Sequence, residues 1–420
     1  MNEILLYIVG VLVMVFGLAV SIGLHEFGHL IPAKIFGVRV PQWAIGFGPK
    51  LFAKKIGETE YSFRLIPLGG FITMIGMFPP AKAGKPDSNR RFGRIIAASR
   101  EAHSEHMVPG DENRTLYSKP AWQRIIIMLG GPTVNLLLGL ILITTALSGI
   151  GVWSQGTRVE AVINCQEQMA DSKAVCTADS VKTPAALAGL RSGDVVLSVD
   201  GKSVELAEQL ISAITTKPFV SHSVVVKRGM ESVTLNIFPA EGLIGTEVRP
   251  YVGLQMEFAR KQLSMGESIG FGFESAAQTF GFIGQFPQQV YSAVYATVTG
   301  QPRATDSAIS VVGIGQVAGQ VASSGGDLMD KLFSTLMLLG SLNLALFAFN
   351  MIPIPPLDGG HVAGGIFEYL KRGTYRLLGK KDPGPVDTAL MAPISQIMFM
   401  VLLLAGLLMI ITDFINPITF

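Results

Sequence analysis

Residues 25–29 read HEFGH and lie within an apolar run that extends from residue 4 to about residue 36. On a helix, side chains four residues apart lie one above the other, so His25 and His29 can approach one Zn²⁺ ion. Glu26 then lies beside the metal, where it can act as general base on a water molecule. A five-residue match can arise by chance, but ionisable residues inside a membrane span are costly and usually functional. The stretch therefore predicts an intramembrane zinc site.

The composition is that of a membrane protein. Only 15% of the 420 residues are charged, against about 25% in soluble domains, and the mean hydropathy is +0.44. The net charge of +2 gives nucleic-acid binding no electrostatic basis. A transmembrane helix needs about 20 apolar residues. Four stretches satisfy this requirement: residues 4–24, 125–153, 332–357 and 393–412.

The distribution of Lys and Arg predicts the orientation. Thirteen basic residues lie between residues 37 and 120, and five more lie between residues 371 and 381. The positive-inside rule puts both of these loops in the cytoplasm and both chain termini outside. The long segment between the second and third spans is then extracytoplasmic, and the HEFGH stretch lies nearer the cytoplasmic side.

The segment after the first span predicts a small β-sheet. Residues 38–45 and 59–64 alternate as strands do, residues 46–49 (GFGP) favour a turn, and residues 67–77 follow as an apolar loop. A strand edge at membrane depth could pair with an extended peptide; a plain cytoplasmic hairpin is an equally good interpretation. Polar residues 79–118 predict a flexible loop.

The second span contains Gly130, Gly131 and Asn135. Glycines allow close approach of helices in a membrane. An asparagine in lipid needs a partner, either at the metal site or on a neighbouring helix.

Residues 154–240 are more polar and predict a soluble domain. Residues 184–201 (PAALAGLRSGDVVLSVDG) resemble the PDZ domains of bacterial envelope proteases. A PDZ domain binds peptide ends by strand addition beside a helix, here between the first strand and residues 206–215; a spacer or size filter is the alternative. Cys165 and Cys176 would lie in an oxidising compartment, which favours a disulfide over a metal half-site.

Residues 241–330 are of mixed character. Their uncharged, moderately apolar stretches predict amphipathic helices against the outer membrane face. An additional span is the alternative.

The third span contains Asn343 and Asn350 and leads into residues 350–361, NMIPIPPLDGGH. The prolines of this stretch exclude a regular helix. Asp358 is its only carboxylate and could complete a two-histidine zinc site with the fourth position left for water. It could instead cap the following helix. His361 is a rival ligand, which we expect to face away at the start of that helix.

Together, HEFGH, GFGP, PLGGF, GGPTVN, the PDZ-like run and NMIPIPPLDGG resemble the bacterial site-2 intramembrane zinc metalloproteases of the RseP/RasP type. The chain has one PDZ domain where some members have two, and its cysteine insertion and C-terminal span are more similar to actinobacterial members. The resemblance covers nearly the whole chain. It implies a multi-pass protein of the bacterial plasma membrane: a polytopic α-helical fold with four transmembrane helices, a membrane-associated β-hairpin region and one extracytoplasmic α+β PDZ domain.

Hydropathy, charge and the motifs above divide the chain into domains. We expect transmembrane helix 1 at 1–36, a cytoplasmic β-region and loop at 37–121, helix 2 at 122–153, the PDZ domain at 154–240, an amphipathic connection at 241–330, helix 3 at 331–357, the LDG motif and a cytoplasmic connection at 358–392, and helix 4 at 393–420.

The resemblance assigns roles to individual residues as well. His25, His29 and Asp358 would bind Zn²⁺, and Glu26 would be the catalytic acid/base. The implied substrate-binding residues are Asn343, Asn350, Tyr61, Phe63, Gly69 and Gly70.

The implied reaction is hydrolysis of a peptide bond within the bilayer, in regulated intramembrane proteolysis and stress response. Substrates would be single-span proteins already cut outside, such as anti-sigma factors, or remnant signal peptides. Such a substrate must unwind, because a helix holds its carbonyls in its own hydrogen bonds. The further partners are membrane lipids and a peptide ligand of the PDZ domain. A binding module with a vestigial metal site and a metal transporter are the alternative classes.

Overall fold

A computed structural model of the protein describes residues 3–81, 87, 91–170, 174–217, 220–244, 247–304 and 307–418. The chain divides into two compact units, which we call the helical unit (Met1–Gly149 and Ser264–Phe420) and the sheet unit (Ile150–Leu263).

The first part of the helical unit contains two long strands among its helices. Its elements are α1 (Glu3–Ile35), β1 (Gln42–Ile56), β2 (Thr59–Thr73), α2 (Gly93–Ser104) and α3 (Ala121–Thr144), and α3 continues as a π-helical turn (Thr145–Ile150).

The second part of the helical unit is helical. Its elements are α7 (Met265–Gly284), α8 (Phe286–Thr299), α9 (Val311–Ser323), α10 (Leu328–Asn350), α11 (Asp358–Leu377) and α12 (Ala392–Ile415).

The sheet unit is mixed α and β. Its elements are β3 (Val152–Val162), α4 (Glu167–Ala170), α5 (Pro184–Ala188), β4 (Val195–Val199), β5 (Lys202–Ser203), α6 (Ala207–Thr216), β6 (His222–Arg228), β7 (Glu231–Ile237), β8 (Ala240–Ile244), β9 (Glu247–Tyr251) and β10 (Leu254–Lys261).

Within the described residues, four helices are long and apolar enough to cross a membrane: Glu3–Ile35, Ala121–Ile150, Leu328–Asn350 and Thr388–Ile415. They coincide with the four predicted spans, with one correction. The third helix ends at Asn350, not at residue 357, because the proline-rich stretch that follows forms a series of turns.

Helix α3 forms the centre of the helical unit, with α1, α7, α10 and α11 packed against it. The crossing with α1 is very close. A Cβ added to Gly130 would lie 1.9 Å from the carbonyl oxygen of Gly28. Only glycine is compatible with this approach of two backbones. Small residues generally allow such close crossings between membrane helices.

Strands β1 and β2 form a two-stranded sheet that runs through the residues predicted as a turn (46–49) and through 67–73 of the predicted loop. These two predictions are wrong. The strands bend without ending because Gly46 and Gly69 take positive φ angles of 88° and 139°. Ile45 pairs with both Phe63 and Gly70, so the start of β1 lies between two parts of β2.

The predicted flexible loop at residues 79–118 contains helix α2 in its described part. Arg100 on α2 lies 2.8 Å from the carboxylates of both Asp87 and Asp387. The prediction of a flexible loop is therefore wrong for α2. An ion pair connects this helix to Asp387, far along the chain.

In the sheet unit the strand order is β10–β3–β4–β6–β7, with β5 on β4, and β8 pairs with β9. The predicted strands and helices of residues 154–240 are present. The expected end at residue 240 is too early, because β10 pairs along β3 and belongs to the same unit. Residues 241–263 are thus not part of an amphipathic connection; helices α7, α8 and α9 follow them. Cys165 and Cys176 form a disulfide.

A cavity of about 420 Å³ lies between α6 and residues 250–256 of the sheet unit. We expected a groove between α6 and the first strand. That strand, β3, has partners on both sides, whereas β10 is at the edge of the sheet. The edge available beside α6 is therefore that of β10.

Candidate metal centre

Helix α1 brings the two predicted histidine ligands together, and α11 brings the predicted aspartate. The Nε2 atoms of His25 and His29 are 3.2 Å apart. Asp358 Oδ2 lies 3.3 Å from each of these nitrogens. No other group of three or more potential ligands of this kind is found in the described part of the chain.

The three ligand atoms fit a zinc ion. A tetrahedral site with ligands about 2.0–2.1 Å from the metal places those ligands about 3.3–3.4 Å apart, which matches the observed triangle of 3.2–3.3 Å. Asp358 Oδ2 is buried and has no hydrogen-bond donor among the described residues. A buried carboxylate oxygen without a donor is costly unless it is paired or binds a cation, so the donor set suits a metal.

Helix α3 determines which nitrogen of each histidine faces the site. His25 Nδ1 lies 3.0 Å from Asn135 Oδ1, and His29 Nδ1 lies 2.8 Å from the carbonyl oxygen of Ile127. Both oxygens are acceptors, so each Nδ1–H donates and each Nε2 keeps its lone pair for a metal. Asn135 is completely buried and has its partner at the metal site, one of the two possibilities left open by the sequence.

Gly131 faces the same pair of nitrogens from α3. A Cβ at this position would lie 2.3 Å from His29 Nε2 and 2.7 Å from His25 Nε2. The sequence indicated that the two adjacent glycines allow close approach of helices, but it did not indicate this contact. It missed Ile127 altogether, because a backbone carbonyl has no side-chain signal.

Glu26 lies on the side of the site that faces the β1–β2 sheet. A Cβ added to Gly70 of β2 would lie 3.2 Å from Glu26 Cγ, and the Glu26 carboxylate is close enough to His25, His29 and Asp358 to interact electrostatically with all three. The Glu26 carboxylate thus lies beside the three potential metal ligands and close to strand β2.

Known proteins resemble this chain over most of its length. Residues 13–379 match the model of peptidase family M50. The chain belongs to this family. The M50 peptidase is 28% identical over 436 residues to zinc metalloprotease Rip1 of Mycobacterium bovis, covering 99% of both chains. It is 27% identical over 390 residues to the regulator of sigma-W protease RasP of Bacillus subtilis, covering 80% of this chain and 85% of that one.

A third relative of the M50 peptidase is zinc metalloprotease Rip1 of Mycolicibacterium smegmatis, 24% identical over 445 residues with 98% of both chains covered. These similarities confirm the predicted resemblance to site-2 proteases of the RasP type. The protein is a metalloendopeptidase.

The two asparagines predicted to bind substrate lie on α10. Asn343 is buried, and its Nδ2 donates to Ser21 Oγ at 3.0 Å, one turn before His25 on α1. Asn350 is the last residue of α10, and its Nδ2 donates to the Leu346 carbonyl at 3.0 Å.

The other predicted substrate-binding residues of the M50 peptidase lie on β2. Tyr61 accepts a hydrogen bond from Lys34 Nζ at 3.2 Å, and its ring lies 5.7 Å from that of Trp43. Phe63 is 48% exposed, and Gly69 packs closely on the Phe47 ring. Gly70 lies beside the predicted catalytic residue: a Cβ there would meet Ile22 Cγ2 at 2.8 Å, the Ala44 carbonyl oxygen at 3.0 Å and Glu26 Cγ at 3.2 Å.

His361, the rival ligand, lies outside the group of three. It lines a separate cavity of about 380 Å³ with Pro353, Pro355 and Phe367. We expected His361 to face away from the other ligands. Side chains three residues apart lie near the same face of a helix, so spacing alone could not show this.

Proposed function

We propose that this M50 peptidase is a zinc-dependent intramembrane endopeptidase that cleaves transmembrane segments of single-span proteins. The triangle formed by His25 Nε2, His29 Nε2 and Asp358 Oδ2 is the observation that carries the proposal. His25 and His29 lie on a helix that is long and apolar enough to span a membrane, and Asp358 Oδ2 lies 3.3 Å from both of them. The zinc named in the relatives suits this donor set.

His25, His29 and Asp358 hold the metal, and Glu26 is the acid/base. A bound zinc ion polarises the scissile carbonyl and lowers the pKa of water at the site. Glu26 accepts the proton of the attacking water and returns it to the nitrogen of the leaving amine. Asn135 and the Ile127 carbonyl keep the two imidazoles in the tautomer in which Nε2 does not carry a proton.

The edge of β2 presents the substrate to the site. Residues 70–73 pair with β1 on one side, and no other described strand pairs with them. An extended peptide can add to such an edge through backbone hydrogen bonds, which replace those lost when its helix unwinds. Gly70 places this edge against Glu26. Asn350, Tyr61, Phe63 and Gly69 support the substrate from α10 and the β1–β2 sheet, and the buried Asn343 acts through its hydrogen bond to Ser21 of α1.

The sheet unit acts as a PDZ domain that receives the end of a peptide. Its cavity beside α6 is lined mainly by apolar side chains, including Leu210, Ile211 and Ile214, and by the start of β10. An edge strand beside a helix is the arrangement by which PDZ domains add a peptide strand. A hydrophobic peptide terminus exposed by an earlier cut fits this cavity.

The same proposal includes the orientation. The protein lies in the bacterial plasma membrane with both termini and the sheet unit outside, because Lys and Arg concentrate in the two loops assigned to the cytoplasm. Expected substrates are anti-sigma-factor-like proteins after a first extracytoplasmic cut and remnant signal peptides, as the name of the Bacillus subtilis relative suggests for the first class.

The test uses purified protein and a single-span substrate in lipid. Glu26→Gln is expected to abolish cleavage and to retain zinc, since Glu26 is not one of the three ligands. A zinc chelator should stop the parent protein, and added Zn²⁺ should restore it. Glu60→Gln, a carboxylate on β2 paired with Lys50, is the matched control and should cleave normally.

Cleavage by Glu26→Gln at the parental rate would refute the role of Glu26 as acid/base and, with it, the peptidase mechanism. A protein that moves Zn²⁺ across vesicles without cutting the substrate would instead be a transporter. Normal substrate capture without cleavage by the parent would favour a binding module.

A further inference from the structure

The metal-binding aspartate is the first residue of α11, so the position of this helix along α3 decides where Asp358 lies. Asp358, Val362, Gly365 and Glu368 are spaced by four, three and three residues and therefore share one face of α11. Glu368 lies about 15 Å along the helix from Asp358 at about 1.5 Å per residue.

The middle of this face packs on α3 through apolar contacts. Val362 belongs to the buried cluster that includes Ile127 and Met128. A Cβ added to Gly365 would lie 2.7 Å from Ile125 Cγ1. The hydrophobic effect by itself is non-directional, so a contact between two specific charged side chains adds to the positioning of the helices.

An ion pair completes this face. Glu368 has a side chain only 1% exposed, and its Oε1 lies 2.5 Å from Arg124 Nη2 in the first turn of α3. Its other oxygen accepts a hydrogen bond from the Val386 amide at 2.9 Å. Arg372, whose side chain is 38% exposed, donates a longer hydrogen bond of 3.5 Å to Glu368 Oε1. Breaking a buried ion pair leaves an unpaired buried charge, so the pair opposes any slip of α11.

Arg124, the member of the pair on α3, is close in sequence to the residue that supports His29. Arg124 is three residues before Ile127, whose carbonyl accepts the hydrogen bond from His29. One turn of α3 thus forms an ion pair with the helix that carries Asp358 and accepts a hydrogen bond from a histidine of α1.

We infer that Arg124 and Glu368 are a positioning pair that holds Asp358 at the right depth opposite His25 and His29. The inference rests on the proposed zinc site. It concerns neither a ligand nor a catalytic group: the two residues act through the placement of α11.

The experiment measures zinc retention in the Glu26→Gln protein, so that it does not depend on cleavage. Glu368→Gln keeps the size of the side chain and removes its charge. We expect its zinc to transfer to a chelator about tenfold faster, the scale of effects that supporting residues have on metal affinity. The absorption spectrum of the cobalt-substituted protein should change as Asp358 moves. Arg372→Gln, the exposed partner, is the control and should behave as the parent.

The charge-swapped protein, Arg124→Glu with Glu368→Arg, should recover a large part of the zinc retention. Arg124→Lys keeps the charge and should lie between parent and Glu368→Gln; it serves if Glu368→Gln does not fold. Parental zinc release and an unchanged cobalt spectrum in Glu368→Gln would overturn the inference. Zinc loss that only accompanies a lower thermal midpoint and is not restored by the swap would also overturn it. Absence of zinc from the parent would instead contradict the proposed function.

Discussion

Both units bury carboxylates, but the surroundings of these groups differ. In the sheet unit, Asp194 is 1% exposed, and its oxygens accept from Arg228 at 2.7 and 2.8 Å and from the Arg191 amide at 2.9 Å. In the helical unit, Asp358 Oδ2 has two imidazole nitrogens at 3.3 Å and no hydrogen-bond donor among the described residues. A fully satisfied carboxylate is a structural group, whereas a buried oxygen that faces other metal-ligand atoms marks a binding site.

The glycines differ in the same way. Gly189 and Gly201 of the sheet unit take positive φ angles in turns, and a Cβ there would meet nothing within 4 Å. Gly131 of the helical unit has a helical backbone, and its missing side chain leaves room for the two Nε2 atoms. The first kind of glycine serves the chain conformation, and the second serves the site.

The largest expected effect tests this second kind of glycine. Gly131→Ala should lower cleavage by more than about 100-fold, because even a small displacement of catalytic groups has effects on that scale. Zinc content and cleavage rate are the measurements. Gly149→Ala in the π-helical turn is the control, since its nearest atom would be 4.0 Å away. Equal activity of Gly131→Ala and the parent would show that the site is not this tightly packed.

A smaller effect is expected at the support of His25. Asn135→Ala removes the acceptor for Nδ1–H and should weaken zinc binding about 10- to 100-fold. Asn135→Asp keeps an acceptor oxygen at this place and should restore most of the affinity. Zinc titration of both variants measures the difference. Similar loss in both would point to helix packing as the role of Asn135.

The smallest effect concerns the sheet unit. Asp194→Asn should destabilise it by about 2 kcal/mol, the scale of a hydrogen bond to a charged group, and should leave the zinc content of the helical unit unchanged. The measurement is unfolding in denaturant, monitored by hydrogen exchange of the backbone amides of the sheet unit. The exposed Asp179→Asn is the control. Loss of zinc in Asp194→Asn would contradict the separation of the two kinds of carboxylate.

The contribution of Asp194 to stability should also depend on pH. The hydrogen bond from Arg228 holds the pKa of Asp194 below its usual value. A carboxyl whose pKa is lowered by folding stabilises the fold above its unfolded pKa, about 3.9, and loses this contribution as the pH falls toward the folded value. The parent should therefore lose stability below about pH 4 more steeply than Asp194→Asn.

The sequence predicted the parts of the molecule that depend on neighbouring residues. Hydropathy over about 20 residues located the four apolar helices, and period-two alternation located strands of the sheet unit. The four-residue spacing of His25 and His29 was enough to predict that their side chains share a helix face. Turn residues were less reliable, because Gly46 and Gly69 bend strands that continue.

The tertiary structure decided what depends on packing between distant segments. The residues around Asp358 favoured the aspartate and left His361 as a rival expected to face away. The fold of α11 on α3 brings Asp358 to His25 and His29. The contacts of Asn135, Ile127 and Gly131, the pairing of β10 with β3 and the ion pair of Arg124 with Glu368 arise in the same way. Local periodicity reports which face of an element is apolar, but the partner of that face is set by long-range packing. Residues 25–29 thus determined the chemistry, and α3 and α11 determined its geometry.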